Sequence, residues 1–439
     1  MITDKQKQLA QWAMEYALKN GCRAARLSLY NNSNTSFEIR DMKMDKLQQA
    51  SENGLSIQLF VDGRFGTVST NRFVKEELER FIRNGIESTR YLAEDKARRL
   101  PDESFYYKGG GPDLQLYDEM FPSLPPDDKV ALAMRVCDEI MDRDKRVVSA
   151  GSSYSDGESF GYLIASNGFE GEACSSCFSL SGEASIKGEG EARPGAYWYE
   201  SSLYFDTLEK DGIGRKALER ALQKLGQQKT TSAKMPVVVD VMNASRLLSP
   251  VINALYGSSI QQKDSFLMNK KGQKIFSDKM TLIDEPHLMK SSGARYFDNE
   301  GVATKKINVF DAGILKSYYI DTCNANKLNV PQTISSPSIL TMPPGSKNLN
   351  ELIHSVDKGI LITGFNGGNC NSTTGDFSYG IEGFLIENGK TTQPVSEMNI
   401  TGNMIELWQN LIETGNDARL SSNWRIPSLL FDRVDLSGM

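Results

Sequence analysis

The sequence predicts an α+β protein: N-terminal units of antiparallel sheet with flanking helices, then a larger β-rich C-terminal domain. Three observations predict it. A helix pattern, a run of alternating strands and a second helix pattern follow one another within residues 1–99, and the same order returns within 127–228. A polar linker at 227–234 then gives way to a buried apolar strand. From 235 to 439 strand patterns joined by Gly-rich turns dominate.

In the first unit, Leu9, Trp12, Ala13, Tyr16 and Ala17 share one face of a helix over 4–19, with Asp4 near its N-terminus. Strands are expected at 24–30, 35–41, 44–50 and 55–61, and Asp62-Gly63 turns the chain into 64–70. Leu78, Phe81, Ile82 and Ile86 mark the buried stripe of a helix over 74–92. Residues 100–126 are rich in Pro, Gly and aromatics and read as a connector. Gly109-Gly110-Gly111 within it lacks a following Gly-Lys-Ser/Thr, so it is no phosphate loop.

Pro125-Pro126-Asp127 opens a helix running to about Arg143. Short strands are expected through 146–205, with Asn167-Gly168 as a hairpin turn, and a helix over 212–226. The third unit begins with a strand at 235–242. Further strands are expected at 274–284, 305–311, 314–322, 359–365, 378–387 and 391–400, and a helix at 402–414 ends at Gly415.

The 439 residues carry 50 Lys and Arg against 56 Asp and Glu, a net charge of −6, which speaks against general binding to nucleic acid. No apolar run is long enough to span a membrane, and the first residues do not read as a secretory signal. Six scattered cysteines fit reduced thiols, so a cytoplasmic setting is expected. Cys174 and Cys177 form a lone CxxC in a strand pattern and are expected to be buried small residues.

The chain has only two histidines, His287 and His354, and neither HExxH nor HExxxH occurs. A serine or cysteine triad would need one of them as base, and no Gly-x-Ser-x-Gly elbow exists. Cys370 lies in the Gly-rich string Gly367 to Asn371 without an identifiable partner. Asp298 and Glu300, two apart in FDNEG, would share a face on a strand or close a loop in a turn. From these residues alone no catalytic machinery assembles. Asp298, Glu300, Asn369, Cys370 and Asp376 stand as candidates for lining a peptide cleft.

An ordered set of strings changes the picture: SFLMNKKGQKIFSDKMTLIDEP (265–286), FDNEGVATKK (297–306), GILKSYYIDTCNANKL (313–328), the Gly-rich run 358–390, and PVSEMNITGN (394–403). With Arg40-Asp41, Gly54-Leu55 and Val61-Asp62-Gly63-Arg64, this set resembles the PmbA/TldD family, also called modulators of DNA gyrase. The resemblance implies three parts with a β-rich C-terminal domain, and intracellular proteolysis. One branch of the family carries HExxxH on a helix and binds a catalytic zinc.

In this sequence the resemblance places that helix within 243–257, where Ser249, Pro250 and Ala254 occupy the zinc-motif positions. None supplies a ligand or a general base of the required kind. The chain therefore resembles the PmbA/TldE branch, which implies no catalytic residue, no metal and no cofactor of its own, with zinc in a TldD-like partner that cuts linear peptides. Residues 329–340, NVPQTISSPSIL, depart from the Ser-Thr-Gly stretch of many relatives. Three readings follow: a non-catalytic subunit of a zinc peptidase, holding an extended peptide along strand edges; a regulatory protein that binds gyrase without a proteolytic partner; and a self-sufficient hydrolase, which two histidines make improbable. The first leaves room for a homodimer when the chain is isolated, and involves neither nucleic acid nor membrane.

Overall fold

The computed structural model describes residues 1–438. The N-terminal half repeats one arrangement twice: α1 (Asp4–Lys19), β1 (Ala24–Arg40), β2 (Lys43–Val61), β3 (Arg64–Thr70) and α2 (Lys75–Arg90), then α3 (Pro126–Asp138), β4 (Val147–Ala165), β5 (Phe169–Ile186), β6 (Gly195–Ser202) and α4 (Ile213–Gln223). The two sets of strands form one six-stranded antiparallel sheet, in the order β3-β2-β1-β4-β5-β6. The seam is β1 against β4, with Arg26 opposite Ala165 and Arg40 opposite Gly151.

Side chains alternate across a strand, so register decides which face each half buries. Leu27 and Leu29 of β1 enter a core with α1 and α2, while Phe37 and Ile39 of the same strand enter a second core with α3. All four are odd-numbered, so the helices of both halves cover the same face. The opposite face carries small polar residues, including Ser153, Ser155 and Ser159 on β4 and Ser175, Ser179 and Ser181 on β5.

The expected strands 24–30 and 35–41 are one strand, as are 44–50 and 55–61. The polar stretch Asn31–Asn34 reads as a break, yet β2 and β4 pair with it on both sides and hold it extended. Gly54 continues β2 because a Cβ there would lie 2.4 Å from the Tyr30 hydroxyl, so only glycine lets that side chain cross the strand. Cys174 and Cys177 are exposed rather than buried. Three residues apart on β5, they point to opposite faces of the sheet.

The connector is a strap rather than a loose linker. Tyr107 N donates to Gly301 O, Ala303 N donates to Phe105 O, and Lys290 N donates to Leu114 O. Tyr106 packs with Ala165 and Phe169, and Leu114 with Ala294 and Ile339. At these points the backbone groups of the strap are already paired, which disfavours proteolysis there. The stretch 227–234 is tied too, with Gln228 N on Pro394 O and Ser396 N on Gln228 O.

The C-terminal half opens with β7 (Ala233–Val239), α5 (Ala244–Asn253) and α6 (Gly257–Gln261). A small sheet follows: β8 (Leu282–Asp284), β9 (Ile307–Asp311), β10 (Ile314–Leu315) and, after α7 (Thr322–Leu328), β11 (Leu340–Thr341). Beyond α8 (Leu349–His354) come β12 (Lys358–Phe365), β13 (Asn369–Cys370), β14 (Asp376–Glu387), β15 (Lys390–Asn403), α9 (Met404–Gln409), β16 (Leu411–Thr414), β17 (Trp424–Arg425) and β18 (Leu429–Ser437).

Three expectations fail in this half. Of 274–284 only Leu282–Asp284 is strand, and of 314–322 only Ile314–Leu315, because the two stretches bond to each other irregularly instead of in a ladder: Gly272 N donates to Leu315 O, Leu315 N to Gln273 O, and Ile275 N and Phe276 N both to Gly313 O. The helix expected at 402–414 stops at Gln409, and Leu411–Thr414 pairs with β18.

The larger sheet closes on itself. β12 pairs with β7, β7 with β18, β18 with β15, β15 with β14, and β14 again with β12. Each strand of this five-stranded barrel has a neighbour on both sides, so the edges of the C-terminal half lie outside it, at β10 and β17 of the small sheet. Closure requires Gly383: a Cβ there would stand 1.8 Å from Leu361 O on β12. The barrel interior and α5 share one core that includes Val237, Val239, Leu247, Val251, Ile362, Tyr379, Trp408 and Phe431.

Gly383→Ala is expected to destabilise the C-terminal half strongly, since backbone rather than a flexible side chain must move; thermal unfolding of the variant checks it. Asp284 is fully buried. Burial pushes its carboxyl up to about 6 despite bonds from Ser338 N, Ile339 N and Tyr319 Oη and the nearby Arg295. Between the unfolded carboxylate value and about 6 the native state binds the extra proton, so this group's contribution to stability falls as pH rises through that window, by about 3 kcal/mol. The unfolding free energy of wild type minus that of Asp284→Asn is expected to fall from pH 4 to pH 7, measured by denaturant titration.

Candidate functional site

The run Val237-Val238-Val239 is buried on both sides, and the chain leaves it through Asp240. Asp240 is itself buried. It accepts bonds from Arg220 Nη2 at 3.1 Å and Asn243 Nδ2 at 2.6 Å, and its carbonyl accepts from Asn243 N and Ala244 N. Burial raises its carboxyl even so, against the Arg220 charge. This acid fixes the turn from which α5 starts.

Leu247, Leu248, Val251 and Ile252 bury one face of α5 against the barrel. Ser249 and Pro250 lie on its partly exposed side, and Ala254, just past its end, is buried. Pro250 has no N–H to give to Arg246 O, so the helix lacks one bond at this point. Ala254 N still donates to Pro250 O at 3.0 Å, and Ala254 O accepts from Ser265 Oγ at 2.6 Å. A proline ring, a methyl group and one hydroxyl do not fit a zinc ion, which needs imidazole, thiolate or carboxylate donors. Among the described residues no three His, Cys, Asp or Glu side chains cluster as metal ligands would.

The hairpin between β12 and β14 lies beside α5. Arg246 Nη2 reaches Gly368 O at 3.4 Å, and its guanidinium stacks over Tyr379. Asn371 Oδ1 accepts from Thr373 N and Thr374 N, and Asp264 Oδ1 accepts from Thr373 Oγ1. Asp376 accepts from Asn403 Nδ2 and Thr374 Oγ1, which hold its carboxyl below the usual range. Burial and then Asp376 push the Cys370 thiol up to about 11, which disfavours the thiolate that a nucleophile needs at neutral pH. Asn369 is exposed at the start of β13.

Asp298 and Glu300 belong elsewhere. Asp298 is buried and accepts from Glu300 N, Val302 N and Ser335 N, so it closes a turn. Glu300 accepts from Thr322 N and Thr322 Oγ1 and pairs with Arg26 of β1 at 3.4 Å, while burial raises its carboxyl. The five cleft candidates thus form two groups, one against the N-terminal sheet and one beside α5, with no hydrogen bond between them among the described residues. His287 Nε2 meets Thr304 Oγ1 at 3.1 Å, and His354 Nδ1 meets Asn350 O at 2.6 Å.

Sequence reasoning missed Asp240, Arg246 and Asp264, which order the surroundings of α5. An acid directly after a triple-valine strand was the available signal for the first. It also missed Arg220, Lys224 and Glu382, which line a cavity of about 280 Å³ between α4 and the barrel, where Lys224 pairs with Glu382 at 2.6 Å.

Comparison with known proteins agrees along the whole chain. Family models match residues 25–89, 119–225 and 232–438, described as PmbA/TldA metallopeptidase domain 1, central domain and C-terminal domain. The chain is 25% identical over 417 residues to the metalloprotease PmbA of Escherichia coli O157:H7, covering 94% of this chain and 92% of that protein. A metalloprotease TldD homolog of Buchnera aphidicola is 30% identical over 230 residues, 49% of this chain and 48% of that one. A solved Bacteroides thetaiotaomicron structure, described as a candidate modulator of DNA gyrase, is 65% identical with a TM-score of 0.99 over 100% of both chains. TldE from Thermococcus kodakarensis shares the fold at a TM-score of 0.86 and 19% identity, over 98% of this chain and 100% of that one. The chain belongs to the PmbA/TldD metallopeptidase family.

Proposed function

We propose that this chain is the PmbA/TldE-type subunit of a zinc-dependent peptidase, without a catalytic centre of its own, working with a TldD-like HExxxH partner on linear or unfolded peptides. The observation that carries the reading is α5, which keeps its buried face while Ser249, Pro250 and Ala254 stand where the family's metal motif would lie. A water-activating carboxylate and two imidazoles are missing from those positions together, so loss of one ligand by drift does not describe the helix. The zinc belongs to the partner. No helix of the described residues is long and apolar enough to cross a membrane.

A second reading, regulation of DNA gyrase by protein contact, is favoured by the description of the Bacteroides thetaiotaomicron structure. Binding of gyrase by the purified chain in the absence of any HExxxH protein would support it over the first.

Elemental analysis of the purified chain after mild chelator washing is expected to find no stoichiometric transition metal. About one tightly held zinc per chain would defeat the proposal. In a peptide-hydrolysis assay the chain alone is expected to stay at background, and its mixture with the HExxxH partner to be active. Replacing the partner's glutamate should cost on the order of several kcal/mol in the barrier, whereas His354→Ala, at an exposed helix end, should cost about nothing. Metal-free cleavage by this chain alone, lost on changing one of its own residues, would revive the independent hydrolase.

A further inference from the structure

The six-stranded sheet leaves part of β5 without a neighbour. β6 pairs with Phe178–Ser185 only. Toward the start of the strand, Ser176 N donates outward to Leu116 O of the strap, which shows that the even-numbered residues of β5 turn their backbone groups to this edge. Among the described residues, no hydrogen bond takes up the outward N–H and C=O groups of Glu170, Glu172 and Cys174. Glu170 and Glu172 line a groove of about 610 Å³, whose other wall is Tyr106, Tyr107, Tyr296 and Phe297.

The two sides of this groove differ in chemistry. Glu170 and Glu172 project to the helix-bearing face: Glu170 accepts from Tyr162 Oη, and Glu172 pairs with Lys7 of α1. Glu103 adds a carboxylate that forms no ion pair among the described residues, and Lys108 is the cation in the lining. On the other side Tyr107 stacks on Tyr296 at 5.0 Å, and Phe297 meets Phe169 edge-on at 5.1 Å. Between them Gly171 presents no side chain. A Cβ there would lie 2.8 Å from Phe297 and Phe169, so the rings close over bare backbone.

We propose that this edge of β5 docks an extended segment of the peptide substrate, added as a further strand, with basic residues toward the glutamates and apolar residues toward the aromatic wall. An edge strand binds main chain through its free amides and carbonyls, and alternate side chains of the guest then fall on opposite faces. Charge decides the guest: with Glu172 neutralised by Lys7, the lining offers two unpaired carboxylates against one lysine. The groove lies on the strap side of the N-terminal sheet, and none of the residues of α5 is in its lining. The inference rests on the peptide-processing reading for the source of the guest, but its chemistry belongs to this chain alone.

The test uses the purified full chain without any partner. A labelled peptide of about eight residues alternating lysine with valine spans the edge. Its binding is followed by fluorescence anisotropy, beside a version with glutamate for lysine and two versions N-methylated on alternate amides, one in each register. The lysine peptide is expected to bind at least about tenfold more tightly than the glutamate peptide, and one N-methyl register to lose binding while the other keeps it. Bound lysine peptide should protect Cys174, on the free edge, from alkylation. Glu170→Lys and, on the exposed strap, Glu103→Lys should each weaken the lysine peptide and strengthen the glutamate one. Equal binding of both charge versions, or equal binding in both N-methyl registers, would overturn the proposal. Because the readout is binding by this chain alone, a chain that binds here yet never supports hydrolysis with a partner defeats the functional reading and leaves the groove standing.

Discussion

The pairing of β1 with β4 is the constraint on which the rest of the molecule depends. It runs antiparallel from Arg26 opposite Ala165 to Arg40 opposite Gly151 without a shift in register. A slip of one residue would turn Leu27, Leu29, Phe37 and Ile39 out of two cores at once. Because the register holds, four helices lie on one face, and the other face is free to receive the C-terminal half at one end. The free parts of β2 and β5 follow from the same geometry, since β3 and β6 are each much shorter than the strands they border.

Contact between the halves is built from charges more than from a shared core. Arg26 meets Glu300, Arg220 meets Asp240, Lys224 meets Glu382, and Arg419 meets Glu200, all with largely buried side chains. Such pairs recover the cost of desolvation only with good geometry and further hydrogen bonds, so they define orientation better than they add stability. Several carry those extra bonds: Arg26 Nε donates to Gln58, Arg220 Nη2 to Thr363 O, and Arg419 Nη2 to Tyr199 O while its guanidinium stacks on Trp198 and Tyr199. The strap supplies the apolar component, through Tyr106 and Leu114.

Around α5 the fold and the chemistry are separable. The buried face of the helix is needed by the barrel, whose core it completes with Leu247 and Val251. Its partly exposed side has no such duty, so a proline is tolerated there at the cost of one helical bond. The residues on that side can therefore vary without altering the barrel. Function in such a fold resides in the side chains presented and not in the backbone that presents them.

The sequence by itself determined the repeated helix–sheet–helix order, the position of α1 to the residue, the Asp62-Gly63 turn, the β-rich second half and the non-ligand character of Ser249, Pro250 and Ala254. These are properties of local periodicity, turn chemistry and side-chain type, and they survive without knowledge of neighbours. Only the tertiary structure decided that the two N-terminal units share one sheet, that Asn31–Asn34 continues a strand, that the C-terminal sheet closes into a barrel, and that Asp298 and Glu300 are buried turn anchors parted from Asn369, Cys370 and Asp376. Each depends on pairing between residues far apart in the chain. A β-strand's partners, and therefore its edges and the surroundings of its acids, are set by long-range register that no local window contains.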